Sequence, residues 1–198
     1  MTLLPTVLLG WLLAAALMAV LWGVQRARGN AGIVDVAWSL ATGLLGAGFA
    51  YVAGGLDERR AIVAGMVLVW GIRLGTHLWR RVASEREDGR YRQRREEWGA
   101  SFQPKMFGFF QVQALWAMMF ALPMLAAARN EAPLGWFDAL GVLFWMVALA
   151  GESIADRQLA RFRANPATRG QVCRNGLWRY SRHPNYFFQW LTWVAYAL

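Results

Sequence analysis

The sequence predicts an all-α protein, a polytopic bundle of about six transmembrane helices. Three observations predict it. Hydrophobic residues make up 57% of the 198 residues and charged residues only 17%, a balance outside that of soluble globular domains. The apolar residues gather into stretches near the ~20 residues a helix needs to cross a ~30 Å hydrocarbon core. The basic residues gather instead in alternate connections between those stretches.

Taken in order, the apolar stretches predict spans over roughly 3–24, 33–53, 61–79, 108–128 and 136–155, with a sixth starting near Pro184. The first is too long for a cleaved leader and lacks a basic flank ahead of it, so it reads as a permanent helix. The residues from Asn185 to Leu198 would reach only ~21 Å as a helix, so the last span is expected to be truncated. The chain reads as one integral-membrane domain over 1–198, with a loop at 80–107 and an elbow at 156–184.

Orientation follows from the loops. Seventeen Lys and Arg residues, Arg86 and Lys105 among them, fall in the connections after the first, third and fifth spans. Only Arg59, Arg60 and Arg129 fall on the opposite side, and Arg73 lies inside the third span. The positive-inside rule then puts the N-terminus outside and both long connections in the cytoplasm. The net charge of +9 is thereby assigned to loops that meet anionic headgroups, and no nucleic-acid partner is expected. A lone cysteine, Cys173, can form neither an intramolecular disulfide nor a thiolate metal cluster, and no metal site is expected.

Polar residues inside the spans are distributed unevenly in depth. Asp35, Arg73, His77, Gln111, Gln113, Glu152, Asn185 and Gln189 all fall toward the cytoplasmic side. Ionisable groups in hydrocarbon are costly unless they pair or face water, so a polar cavity open to the cytoplasm is expected. Arg73 and His77, four residues apart, share a helical face, and Asp35 enters at similar depth from the neighbouring helix. A pairing of Asp35 with Arg73 or His77 is the expected result, either as a packing lock or as part of a reaction centre. Gly71 and Gly75 form a G-x-x-x-G that lets a neighbouring helix approach closely. Trp22, Trp136 and Trp190 fall near span ends, as interface anchors do.

The loop VASEREDGRYRQRREEWGASFQPK suits a surface helix around Arg90–Glu97, or a lid over an anionic group built on Arg90, Tyr91 and Arg94. No phosphate-binding loop, H-E-x-x-H or G-x-S-x-G is present, so any nucleotide would have to be held by helices and loops. ESIADRQLARFR continues the fifth helix out of the membrane, with Glu152 and Asp156 on one face. ANPATRGQVCRNG breaks it at Asn165, Pro166 and Gly170, and GLWRYSRHPNYF leads the chain back to the membrane. An elbow rich in arginine and aromatic rings can clamp a phosphate and stack a base.

At GLWRYSRHPNYF the chain resembles the membrane steroid 5α-reductase superfamily, most closely its uncharacterised bacterial branch. The resemblance runs on through GNAGIVDVAWSL, WGIRLGTHLWRR, EDGRYRQRREEWG and ADRQLARFR, and so covers most of the chain from Gly29 onward. It implies seven helices in the complete protein and a cytoplasm-facing cavity that holds NADPH. Hydride would pass from there to the β-carbon of a steroid- or isoprenoid-like enone. The matching cofactor positions are Asp156, Arg163, Tyr180, Arg182, His183, Asn185 and Gln189. Gln189 stands where the family commonly has Glu, and the family's C-terminal helix has no counterpart. The catalytic Glu and Tyr of the steroid enzymes also lack an evident match, which leaves Asp35, Arg73 and His77 as positional substitutes.

The expected activity is therefore NADPH-dependent reduction of an activated C=C bond in a lipid-soluble substrate at a bacterial inner membrane. R-H-P-x-Y also occurs in membrane methyltransferases that use S-adenosylmethionine, and such an enzyme, or a non-catalytic membrane subunit, are the alternatives. Membrane lipids and a lipid-soluble small molecule are the expected partners.

Overall fold

The computed structural model describes residues 3–84 and 87–198, with the backbone alone at Ser84. Arg86, one of the seventeen basic residues counted above, lies outside the described residues. The order is α1 (Leu3–Arg28), α2 (Ile33–Val52), α3 (Asp57–Ser84), α4 (Gly89–Trp98), α5 (Phe102–Ala128), α6 (Trp136–Ala164) and α7 (Pro184–Val194). A 3-10 turn, Gly99–Ser101, joins α4 to α5, and two more, Pro166–Thr168 and Gly176–Arg179, lie between α6 and α7. No strand occurs among the described residues. Five helical stretches are long and apolar enough to cross a membrane, which makes the chain a polytopic membrane protein. The expected surface helix in the long loop is α4.

The chain divides into two compact units, Met1–Ala132 and Pro133–Leu198. In the first, α2 packs on α1, α3 and α5. The reason lies in its side chains: Ser39, Thr42, Gly43, Gly46 and Ala50 are all buried, and such small residues let backbones approach where lipid offers no hydrophobic drive. A Cβ built on Gly43 would stand 3.3 Å from the Cα of Gly71, and one on Gly71 would stand 3.0 Å from the Ser39 carbonyl oxygen. A Cβ on Gly75 would meet Leu40 at 2.8 Å. The G-x-x-x-G of α3 is thus the seat of α2. On α1 the buried residues Gly10, Ala14, Met18 and Gln25 recur every four or seven positions, while Leu4, Leu12 and Leu13 on the rest of the helix are exposed, as suits lipid.

α3 starts four residues earlier than its apolar stretch, and its first-turn arginines bond the end of α2 and the loop after α5. Arg60 donates through Nε to the Ala50 carbonyl at 3.1 Å and through its guanidinium to Tyr51, carbonyls that the last turn of α2 leaves unbonded. Arg59 donates to the carbonyls of Asn130 and Ala132, both at 2.7 Å, and so ties down the loop after α5. Trp136 and Trp190 are exposed, as expected of anchors, but Trp70 is fully buried and packs edge-on against Trp38 at 6.1 Å.

In the second unit α6 and α7 run antiparallel. A Cβ on Gly151 would fall 2.4 Å from the Phe188 ring and one on Gly141 2.8 Å from the Ala195 carbonyl oxygen, so both glycines are needed for the approach. α6 continues past the apolar stretch to Ala164 and stops where Pro166 forbids another turn. Asn165 Oδ1 then accepts from the Ala167 N–H at 3.0 Å, and the Phe162 carbonyl accepts from both the Asn165 N–H at 3.3 Å and Thr168 Oγ1 at 2.5 Å. Gly170 and Gly176 take φ of 79° and 58°, the left-handed region that favours glycine, and a Cβ on Gly176 would also meet the end of the Gln158 side chain at 2.2 Å.

Candidate functional site

Two polar groupings stand out, one in each unit. In the first unit, Asp88 caps the N-terminus of α4 by accepting from the Arg90 N–H at 3.0 Å, the role expected of an Asp ahead of a helix. That cap fixes the first turn of α4 so that Arg90 and Tyr91 both reach Asp35 on α2. Tyr91 Oη donates to Asp35 Oδ1 at 2.9 Å and Arg90 Nη2 to Asp35 Oδ2 at 3.2 Å. Arg81 of α3 donates to Asp88 Oδ2 at 2.5 Å and closes the cluster. Burial works to raise the Asp88 carboxyl, but hydrogen bonds from Arg90 and the charges of Arg90 and Arg81 outweigh it and hold its pKa below the ordinary value.

Beside this cluster Glu87 accepts from the Ala31 N–H at 2.9 Å and from Arg95 Nη2 at 2.9 Å, while Arg95 also donates to the Gly29 carbonyl. The turn between α1 and α2 is thereby fastened to the start and middle of α4. A shallow cleft, open to solvent, lies between the start of α2 and the end of α3. Asn30, Asp35, Arg81 and Asp88 line it with Leu78 and Val82.

The expected partner of Asp35 was Arg73 or His77; the structure supplies Arg90 and Tyr91 instead. The reason is angular. With 3.6 residues per turn, Arg73 lies ~200° around α3 from Gly71, and His77 the same from Gly75. Because Gly71 and Gly75 seat α2, Arg73 and His77 occupy the side of α3 turned away from it, where both are half-buried. Neither lines the cleft at Asp35.

In the second unit Glu152 and Asp156 are buried on α6, 3% and 8% exposed. Asn185, at the first turn of α7, donates through Nδ2 to Asp156 Oδ1 at 3.4 Å. Its Oδ1 is buried and accepts nothing from the described residues. Gln189 lies one turn further on the same face and is half-buried. The elbow is held to α6 by Gln158, which accepts from the Leu177 N–H at 2.9 Å, and by Trp178, whose Nε1 donates to the Ala155 carbonyl at 2.9 Å. Arg163, Tyr180, Arg182 and His183 are exposed. His183 stacks on Tyr186, with ring centres 5.3 Å apart and planes 15° from parallel.

Of the seven expected cofactor positions, then, Asp156 and Asn185 are brought into contact, and the side chains of Arg163, Tyr180 and Arg182 are exposed and make no hydrogen bond or ion pair among the described residues. Sequence reasoning missed Gln158 and Trp178, which position the elbow, and did not pair Tyr91 with Asp35. The Asp-Gly before a polar helix was the available signal for the α4 cap. Among the described residues no group of three or more His, Cys, Asp or Glu is placed to hold a metal ion.

Residues 21–198 match a protein family described as "Protein of unknown function (DUF1295)". The chain belongs to that family. It is also similar to the Uncharacterized protein C594.04c of Schizosaccharomyces pombe, with 27% identity over 217 residues. That alignment takes in 96% of this chain and 63% of the yeast protein, so the chain spans less than two thirds of this relative's length. No solved structure matches.

Proposed function

We propose that the protein is an NADPH-dependent reductase of an activated C=C bond in a lipid-soluble enone, with its cofactor site on the cytoplasmic face of a bacterial inner membrane. The observation that carries this reading is Asn185. Its amide is oriented by the bond from Nδ2 to Asp156, which leaves a buried carbonyl oxygen without a donor. A buried acceptor of this kind is costly unless a ligand satisfies it. A ribose hydroxyl or the carboxamide of a nicotinamide offers the missing donor, so the residues present fit the dinucleotide. The likeness of this elbow to that of the steroid 5α-reductase superfamily supports the same assignment.

Each residue has a role in that reading. Arg163 and Arg182 bind the 2′-phosphate through fork-shaped donors, which makes NADPH preferred over NADH. Tyr180, 85% exposed, presents a ring for the adenine, and His183, stacked on Tyr186, extends that surface. Gln189 adds a second neutral amide on the Asn185 face. The dinucleotide, when bound, supplies a hydride. Reduction also needs a group to steady the negative charge that develops on the substrate oxygen, and Arg73 and His77 are the residues the sequence offers for that role. Asp35 is withdrawn from that chemistry, since its oxygens are taken by Tyr91 and Arg90; it positions α4.

Titration of the full chain in mild detergent with NADPH, NADH and S-adenosylmethionine tests the proposal. NADPH is expected to bind most tightly. Asn185→Ala is expected to weaken its binding by ~1–3 kcal/mol, the value of a hydrogen bond to a buried polar group. Unchanged NADPH affinity in that variant would remove the argument from Asn185, and tighter binding of S-adenosylmethionine would favour a methyltransferase.

A further inference from the structure

We infer that Arg94, Trp98 and Lys105 form a site for the phosphate of an anionic phospholipid, at the junction of α4 and α5 and apart from the elbow. The cations around α4 divide into two kinds. Arg81, Arg90 and Arg95 are each paired with a carboxylate, respectively Asp88, Asp35 and Glu87. Arg94 and Lys105 have no such partner among the described residues and donate no hydrogen bond to any of them; their contacts are with aromatic rings. Glu97, one turn of helix from Arg94, accepts from Gln93 instead.

The Arg94 guanidinium carbon sits 4.6 Å from the centre of the Phe109 ring, and 5.8 Å from those of Tyr91 and Trp98. Lys105 Nζ lies 5.5 Å from the centre of the same Trp98 ring. Two like charges thus share one indole. The ring faces attract each cation but leave its N–H groups, five on a guanidinium and three on an ammonium, without acceptors. A group with several anionic oxygens would use those donors and offset the positive charge gathered at that indole. A phosphate diester does both.

Position selects the source of that phosphate. Lys105 lies one turn inside α5, where a polar helix gives way to a membrane-length one, and it is exposed. Trp98 and Phe109 are half-buried where Arg94 packs on both. Aromatic rings and long basic side chains of this kind sit at headgroup depth. Basic residues next to a membrane helix are attracted to anionic lipid by about 1 kcal/mol each, or roughly fivefold in affinity per charge. The rings hold Arg94 in place in advance, so little side-chain freedom is lost on binding.

The test is lipid binding to the full chain, purified in mild detergent and followed by native mass spectrometry with phosphatidylglycerol or phosphatidylcholine added. Phosphatidylglycerol is expected to bind more tightly, and Lys105→Gln to weaken it about fivefold. Arg94→Gln should weaken it at least as much. Because Arg94 packs on three rings and its loss could disturb folding, the exposed Lys105 is the primary variant. Equal binding of the two lipids, or phosphatidylglycerol affinity unchanged in Lys105→Gln, would overturn the site. Inorganic phosphate that competes with the lipid at millimolar concentration would overturn the assignment to lipid and leave a soluble phosphate compound as the occupant. NADPH affinity is expected to be the same in Lys105→Gln, which separates this site from the elbow.

Discussion

Tyr91→Phe should loosen α4 from α2 while leaving the packing around the ring intact. Tyr91 is 2% exposed, and its ring packs edge-on against Phe109 at 6.0 Å, contacts that Phe preserves. What is removed is the hydroxyl that donates to Asp35 Oδ1 at 2.9 Å. A hydrogen bond to a charged acceptor is worth ~1.5–3 kcal/mol, and here the bond is screened little because the donor is buried. Arg90, the other donor to Asp35, has a side chain 61% exposed, so its loss should cost less than ~1 kcal/mol. The two variants are therefore ordered: Tyr91→Phe is the more damaging although it changes no charge. Unfolding of the full chain in mixed micelles of mild detergent and dodecyl sulfate, followed by tryptophan fluorescence, gives both values. A double-mutant cycle of Tyr91→Phe with Asp35→Asn should show coupling of at least ~1 kcal/mol. If Tyr91→Phe lies within ~0.5 kcal/mol of wild type, or if Arg90→Gln is the worse of the two, the account of α4 docking is refuted.

Docking of α4 should also depend on acid pH through Asp88, whose pKa is lowered in the folded chain by Arg90 and Arg81. Stability from this group is fully present above its unfolded value near 3.8 and is lost as pH falls through the lower folded value; Asp88→Asn should abolish that dependence in unfolding midpoints measured between pH 6 and 3. Gly71→Ala should destabilise the first unit by ~1–3 kcal/mol, since its Cβ would meet backbone at 3.0 Å, whereas Gly48→Ala, with open space around it, should be neutral or slightly stabilising. In a chain with the buried Cys173 replaced, a cysteine introduced at Glu131 should react with an impermeant reagent in intact cells and one introduced at Ala100 should not; the reverse pattern would invert the topology read from the basic loops.

The elements that were legible in the sequence are those decided by neighbours along the chain. Apolar stretches of membrane length gave the five long helices, because hydrocarbon forces any backbone that crosses it to bond within its own segment. The end of α6 was legible at Asn165 and Pro166, because a missing N–H and a fixed φ act on the preceding turn whatever lies elsewhere. The close approach at Gly71 and Gly75 could be read as well, though not which helix would make it. Among the candidate residues, Asp156 and Asn185 were singled out individually; that they touch, 29 positions apart, depends on the antiparallel run of α6 and α7.

Tertiary structure alone decided the partner of Asp35. Its depth and that of Arg73 and His77 were readable, but side chains meet only if they also share an azimuth. The azimuth of α3 is set by Gly71 against Gly43, a contact that turns Arg73 and His77 away from α2. Tyr91 was hidden for a related reason. GRYRQRREEW is polar nearly all round, and such a pattern does not show which face will be covered. Asp88 caps the helix, Glu87 fastens it to the turn before α2, and Tyr91 is thereby carried into the core to meet Asp35, over 56 positions of intervening chain.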